Sequence, residues 1–138
     1  MSKSLEQLVG QVIIAGFRGK TVNQKSPILR YIKNFNIAGV ILYDIDLEIG
    51  GEKLTPGTRN IESPSQIQKL ITQLQKNSRH ELLISIDQEG GDSSRLKSIY
   101  GFQEDTSWGH IGKLNSSVMT KQFAESMTNI LSQAGINL

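Results

Sequence analysis

The run Leu82-Leu83-Ile84-Ser85-Ile86 is uncharged, too short for a helix, and stopped abruptly by Asp87-Gln88-Glu89-Gly90-Gly91, two carboxylates and two glycines. An apolar stretch of this length predicts a strand covered on both faces, as in a parallel sheet. Asp87 then falls at the carboxyl end of the strand, where parallel α/β folds bind ligands. Gly90 and Gly91 permit backbone angles closed to other residues and let the chain or a ligand pass close by. Taken alone, the segment fits equally well a polar turn that merely stops a strand.

Its surroundings repeat one pattern. A short lead-in helix around Leu5 to Val9 precedes Gln11-Val12-Ile13-Ile14-Ala15-Gly16-Phe17, a β-branched, apolar first strand. Ser26-Pro27 starts a helix with Ser as N-cap and Pro at the first helical position, and puts Ile28, Leu29, Ile32 and Phe35 on one face. Ala38-Gly39-Val40-Ile41-Leu42-Tyr43 is a second buried strand. Ser63-Pro64 repeats the helix start, Gln66 completes a capping box, and Ile67, Leu70, Ile71 and Leu74 mark the buried stripe. A last long helix begins near Asn115, carries Val118, Met119, Phe123, Met127, Ile130 and Leu131 inward, and closes on Gly135. Ile136-Asn137-Leu138 reads as the start of a fourth strand. Three strand-then-helix units argue for parallel strands joined by right-handed crossovers. Two long connections, Asp44 to Glu62 and Gln88 to Asn115, follow strand carboxyl ends and read as functional loops.

Composition narrows the classes of function. With 138 residues, 37% of them hydrophobic, the chain is the size of one ordinary globular domain. Its net charge of +2 comes from 15 basic and 13 acidic residues without a basic run, which argues against a nucleic-acid partner. Cysteine is absent, so there is no disulfide framework, thiolate metal site or cysteine nucleophile. No segment approaches the roughly 20 apolar residues of a membrane helix, and Met1-Ser2-Lys3-Ser4-Leu5-Glu6-Gln7 lacks a signal-peptide core. A cytoplasmic location without a membrane partner is the expectation. No His/Cys/Asp cluster has metal-ligand spacing and no Gly-rich phosphate loop precedes a helix, so no metal or nucleotide cofactor is implied.

Extended residues two apart face the same side, so Asp87 and Glu89 could bring two carboxylates into the range used for cleaving glycosidic bonds, although the glycines after Glu89 break strand geometry. The block Ile86-Asp87-Gln88-Glu89-Gly90-Gly91 followed by Arg95-Leu96 strongly resembles the N-terminal barrel domain of glycoside hydrolase family 3, in particular its β-N-acetylhexosaminidase branch. Ile14-Ala15-Gly16-Phe17, Gly39-Val40-Ile41-Leu42-Tyr43 with Arg59-Asn60 after it, Ser63-Pro64 and Gly135-Ile136-Asn137-Leu138 match in the same order. Asp92 and Ser93 depart from the pattern, standing where the family commonly has a basic or polar residue and an apolar one.

The resemblance implies an α/β fold, a partial (β/α)8 TIM barrel of about three to four βα units with parallel strands, incomplete at the C-terminus. It implies hydrolysis of β-glycosidic bonds by a retaining mechanism, with release of terminal N-acetylglucosamine from chitin-derived or peptidoglycan fragments. Asp87 would accept hydrogen bonds from sugar hydroxyls, Arg95 would help hold the same ring, and Glu89, Gly90 and Gly91 complete the substrate-binding set. The family's later Lys-His-Phe-Pro-Gly-His-Gly-like loop and its still later Asp nucleophile have no counterpart here, so no catalytic residue is expected in this chain. Three or four units cannot close an eight-strand sheet, which leaves a raw edge and predicts self-association. Two competing readings are a non-catalytic sugar-binding or interaction module and a flavodoxin-like signalling domain; the second leaves the Asp-Gln-Glu-Gly-Gly block unexplained.

Smaller expectations complete the reading. His80 is taken as a solvated surface residue, Trp108 as a loop-packing residue with His110 beside it, and Arg59 and Asn60 as ordering their loop. Asp44 and Asp46 either line the mouth of the site or solvate a loop.

Overall fold

The computed structural model describes residues 4–47 and 55–138. Residues 1–3 and residues 48–54 of the predicted Asp44–Glu62 connection lie outside the described residues.

Chain order follows the strand-then-helix pattern. Helix α1 (Leu5–Gly10) leads to strand β1 (Ile14–Gly16), helix α2 (Pro27–Arg30) with a π-helical turn (Tyr31–Phe35), and strand β2 (Gly39–Leu42). Helix α3 (Pro64–Lys76), strand β3 (Leu83–Ile86), two 3₁₀ turns (Gly91–Ser93 and Ser98–Tyr100), helix α4 (Trp108–Lys113) and helix α5 (Ser117–Ala134) follow. The strands form one parallel sheet in the order β1-β2-β3. Ile14 stands beside Gly39 and Gly39 beside Leu83, while Leu42 stands beside Ile86.

Period two sorts this sheet into faces. Val40, Leu42 and Ile84 point into a core completed by Ile67, Leu70 and Leu74 of α3 and by Ile28, Leu29 and Ile32. Each such side chain contributes about 2 kcal/mol on burial. The opposite face carries Ile14, Ile41 and Leu83 and is open, with Leu83 39% exposed. Coverage of β3 on both faces, expected from its unbroken apolar run, is therefore not found among the described residues. An apolar run reports that some neighbour favours it, without saying whether that neighbour belongs to the same segment.

The helix starts follow from local chemistry. Ser63 Oγ accepts from Gln66 N at 3.2 Å. The capping box is not reciprocal: Gln66 Oε1 accepts from Glu62 N at 2.9 Å, one residue before the cap, while its amide donates to the carbonyls of Lys20 and Asn60. α5 starts one residue later than the Asn115 expectation, at the Ser116 cap, because Asn115 adopts a left-handed conformation as α4 ends. Gly135 closes α5 at φ +89°.

Four further expectations need correction. The first strand shortens to Ile14–Gly16, because Gln11, Val12 and Ile13 donate to Leu8, Val9 and Gly10 and continue the α1 turn. Phe35 leaves the α2 stripe and is exposed, since the π-helical turn adds a residue per turn and rotates it away; it meets Tyr31 at 6.2 Å instead. Val118, predicted to point inward, is 64% exposed, and Met119 is exposed with it, whereas Met127 and Ala134 are buried. The predicted fourth strand is an edge contact: Asn137 N and Leu138 N both donate to Ile84 O, and Asn137 Oδ1 accepts from Ile84 N at 2.6 Å.

Candidate functional site

The loops leaving the three strands meet at the carboxyl edge of the sheet, tied together by side-chain amides. Asn60, fully buried, accepts from Tyr43 N at 3.1 Å and donates to the carbonyls of Phe17 and Gly19. This joins the ends of β1 and β2. Arg59 Nε donates to the same Phe17 carbonyl at 3.0 Å, and its guanidinium lies 4.9 Å from the centre of the Tyr43 ring. The loop-ordering expectation for Asn60 holds, and Arg59 additionally faces a cleft.

Gln88, between the two acids of the block, organises the loop after β3. Its Oε1 accepts from the backbone of Arg95 at 2.8 Å and of Leu96 at 3.1 Å, and its amide donates to Ser94 Oγ at 2.5 Å and Asp105 Oδ2 at 2.6 Å. Asp105 also accepts from Gly91 N at 3.2 Å. Gly90 and Gly91 have φ +77° and +57°, and a side chain on Gly90 would run into the Thr106 carbonyl. The two glycines are thus required by backbone geometry, as expected.

Asp87 is one residue past β3, exposed, and without a hydrogen bond or ion pair among the described residues. Because Leu42 is the register partner of Ile86, continuing both strands sets Asp87 beside Tyr43 on the open face. Arg95 reaches the same ring from the loop, its guanidinium 5.8 Å from the Tyr43 centre. Tyr43, Arg59 and Arg95 line a cleft of about 480 Å³ floored by Gly16 and Ile41. Glu89, Gly90 and Gly91 line a different recess of about 520 Å³, with Asp105 and Trp108. The five residues singled out from the sequence are therefore divided: Arg95 belongs to the first cleft, the Glu89–Gly91 group to the second, and Asp87 lines neither.

Asp44 and Asp46 correct the sequence reading, since they neither line a mouth nor solvate a loop; both are buried. Asp46 pairs with Arg18 and its N–H donates to Thr58 Oγ1. Asp44 is surrounded by Lys97, by Arg95 Nη1 at 3.6 Å and by the Tyr100 hydroxyl at 3.3 Å. Burial, then the Asp44 carboxylate, push the Tyr100 phenol up to about 12. The ring therefore stays protonated and donates to Asp44.

Sequence reasoning missed Gln88, Lys97 and Tyr100. A signal for Asp44 was present: it follows Val40 and Leu42 at period two, which aims it at the covered face. Trp108 packs edge-on against Phe123 at 4.6 Å, as expected of a loop anchor, with His110 exposed beside it. His80 is half-buried and not simply solvated, its Nε2 3.4 Å from the Gln11 amide. No group of three or more His, Cys, Asp or Glu suited to a metal occurs among the described residues.

No family model matches the chain. A beta-hexosaminidase of Haemophilus influenzae is 31% identical over 102 residues, covering 69% of this chain and 24% of that relative. A glycoside hydrolase family 3 β-N-acetylglucosaminidase from Paenibacillus superposes with a TM-score of 0.79 at 28% identity, over 99% of this chain and 23% of its own. By sequence and by fold the chain is similar to the N-terminal part of glycoside hydrolase family 3. A fungal multi-domain family 3 β-N-acetylglucosaminidase gives a TM-score of 0.78 at 27% identity, over 97% of this chain and 14% of that protein. The chain thus spans about a quarter or less of the length of the relatives it matches. Among its described residues no helix is long and apolar enough to cross a membrane.

Proposed function

We propose that this chain is the N-terminal, sugar-gripping part of a (β/α)8-type barrel that hydrolyses β-glycosidic bonds, releasing terminal N-acetylglucosamine from chitin-derived or peptidoglycan fragments in the cytoplasm by a retaining mechanism. Asp87 accepts hydrogen bonds from ring hydroxyls, Arg95 donates to the same sugar, and Glu89, Gly90 and Gly91 shape the neighbouring loop. The nucleophile and the acid/base belong to polypeptide outside these 138 residues. The observation that carries this reading is the free, exposed Asp87 carboxylate at a strand's carboxyl end, set by register beside Tyr43, over which Arg95 lies. A charged acceptor and a planar donor suit a polyol, because hydrogen bonds to ionised groups are directional and strong.

Titration of the chain with N-acetylglucosamine, followed by backbone amide NMR, tests the reading. Saturable shifts at Asp87 and Arg95 are expected, and Asp87→Ala should weaken binding at least ~10-fold, about 1.4 kcal/mol. Hydrolysis of a chromogenic β-N-acetylglucosaminide by the chain alone would refute the division of roles. Saturable binding together with a longer protein that never hydrolyses the same substrate would favour a non-catalytic sugar-binding module.

A further inference from the structure

Asp44 is a carboxylate that is 0% exposed, one residue beyond the Tyr43 of the cleft. Removing a carboxylate from water costs several kcal/mol, and a packed hydrophobic group would stabilise the fold at least as well. Its surroundings are unlike a closed ion pair. Lys97 and Tyr100 share Oδ2, while Oδ1 faces Arg95 Nη1 at 3.6 Å without forming a hydrogen bond. Arg95 Nε is likewise buried and without a hydrogen-bond partner. One negative charge therefore stands against two cations, and the guanidinium is attracted without having its donors consumed. Arg95 is also gripped from its other end, where Gln88 accepts from its backbone N–H at 2.8 Å.

We propose that Asp44 is a positioning residue of the sugar site: its buried carboxylate holds the Arg95 guanidinium against the Tyr43 ring, with the remaining donors turned to the cleft. This rests on the sugar-binding reading of Arg95 given above. Lys97 pairs with the other oxygen, Oδ2, which leaves Oδ1 to the guanidinium alone. Without Asp44 the side chain would sample its rotamers freely, and a ligand would have to order it at a loss in affinity.

The test reads Arg95 itself. In the side-chain ¹⁵Nε spectrum of the chain, Arg95 is expected to relax as an ordered group, with the exposed Arg30 as the internal mobile standard. Asp44→Asn should give Arg95 the mobility of Arg30 and weaken binding of N-acetylglucosamine ~10-fold, about 1.4 kcal/mol. Lys97→Met should leave Arg95 ordered, which a merely stabilising role for the cluster would not require. If Asp44→Asn fails to fold, the wild-type comparison still decides, because an Arg95 as mobile as Arg30 overturns the proposal. Unchanged Arg95 relaxation and affinity in a folded Asp44→Asn variant overturns it as well. Should the wild type bind no N-acetylglucosamine while Asp44→Asn still frees Arg95, the sugar reading fails and the hold of Asp44 on Arg95 stands.

Discussion

Gly90 combines φ +77° with ψ 168°, a region essentially reserved for glycine, and its missing side chain leaves room for the Thr106 carbonyl. Gly90→Ala should therefore cost at least about 2 kcal/mol, read as a lower urea midpoint at unchanged slope. Tyr100 makes a second residue-scale prediction. Its phenol is raised from 10.0 to about 12, so the folded state holds a proton that the unfolded state releases first. The stability this represents is complete below pH 10 and is lost as pH rises towards about 12. Urea midpoints of the wild type and Tyr100→Phe across that window should show the excess loss in the wild type alone. The positions of Asp87 and Asp44 were legible by counting, since period two sends 83, 85 and 87 to one face and 40, 42 and 44 to the other. Which of the two is free and which is buried among cations was not legible, because Lys97 and Tyr100 are brought to Asp44 by the fold.

At the scale of elements, side-chain amides complete what short strands leave unpaired. Gln75 of α3 exchanges two hydrogen bonds with the backbone of Leu82, both at 2.9 Å, and so seats the start of β3. Asn137 does the same along the outer edge of β3, accepting from Ile84 N and donating to Leu82 O at 3.1 Å. Asn60 joins β1 to β2, and its loss removes the partner of the Tyr43 N–H and of the Gly19 carbonyl in a half-buried corner of the sheet. Asn60→Ala should cost about 3 kcal/mol, measurable by chemical denaturation, with the β1 and β2 amides losing hydrogen-exchange protection first. The helix starts at Ser26-Pro27 and Ser63-Pro64 were legible because fixed proline angles act locally, as does the Ser63 cap; Ser26 Oγ makes no cap bond and accepts from Asn23 N instead. The start of β1 and the drift of Phe35 were not, since each depends on how a turn is wound before the next strand.

For the whole molecule, the open sheet face and the groove beside it dominate. Ile14 and Leu83 are exposed on that face, and Leu5, Val9, Tyr31 and Phe35 line an apolar groove of about 510 Å³ between α1 and the π-helical turn. Apolar surface of this kind favours association. Sedimentation velocity of the chain alone should show self-association that strengthens with concentration. Leu83→Lys should weaken it at least ~10-fold without lowering the melting temperature, because the side chain is not part of the core.

The residues alone determined the alternation of strands and helices as far as β3, the parallel sheet, the glycine-dependent loop after β3 and the likeness to family 3, because each rests on periodicity, capping or a contiguous motif; the helix Trp108–Lys113 inside the predicted Gln88–Asn115 loop was not among them. Only the tertiary structure decided that Gln88 ties the motif together, that Glu89 and Arg95 face different recesses, and that Asp44 is enclosed with Arg95, Lys97 and Tyr100. Those contacts join residues 6 to 56 positions apart, and their energy exists only once the sheet has brought the strand ends together.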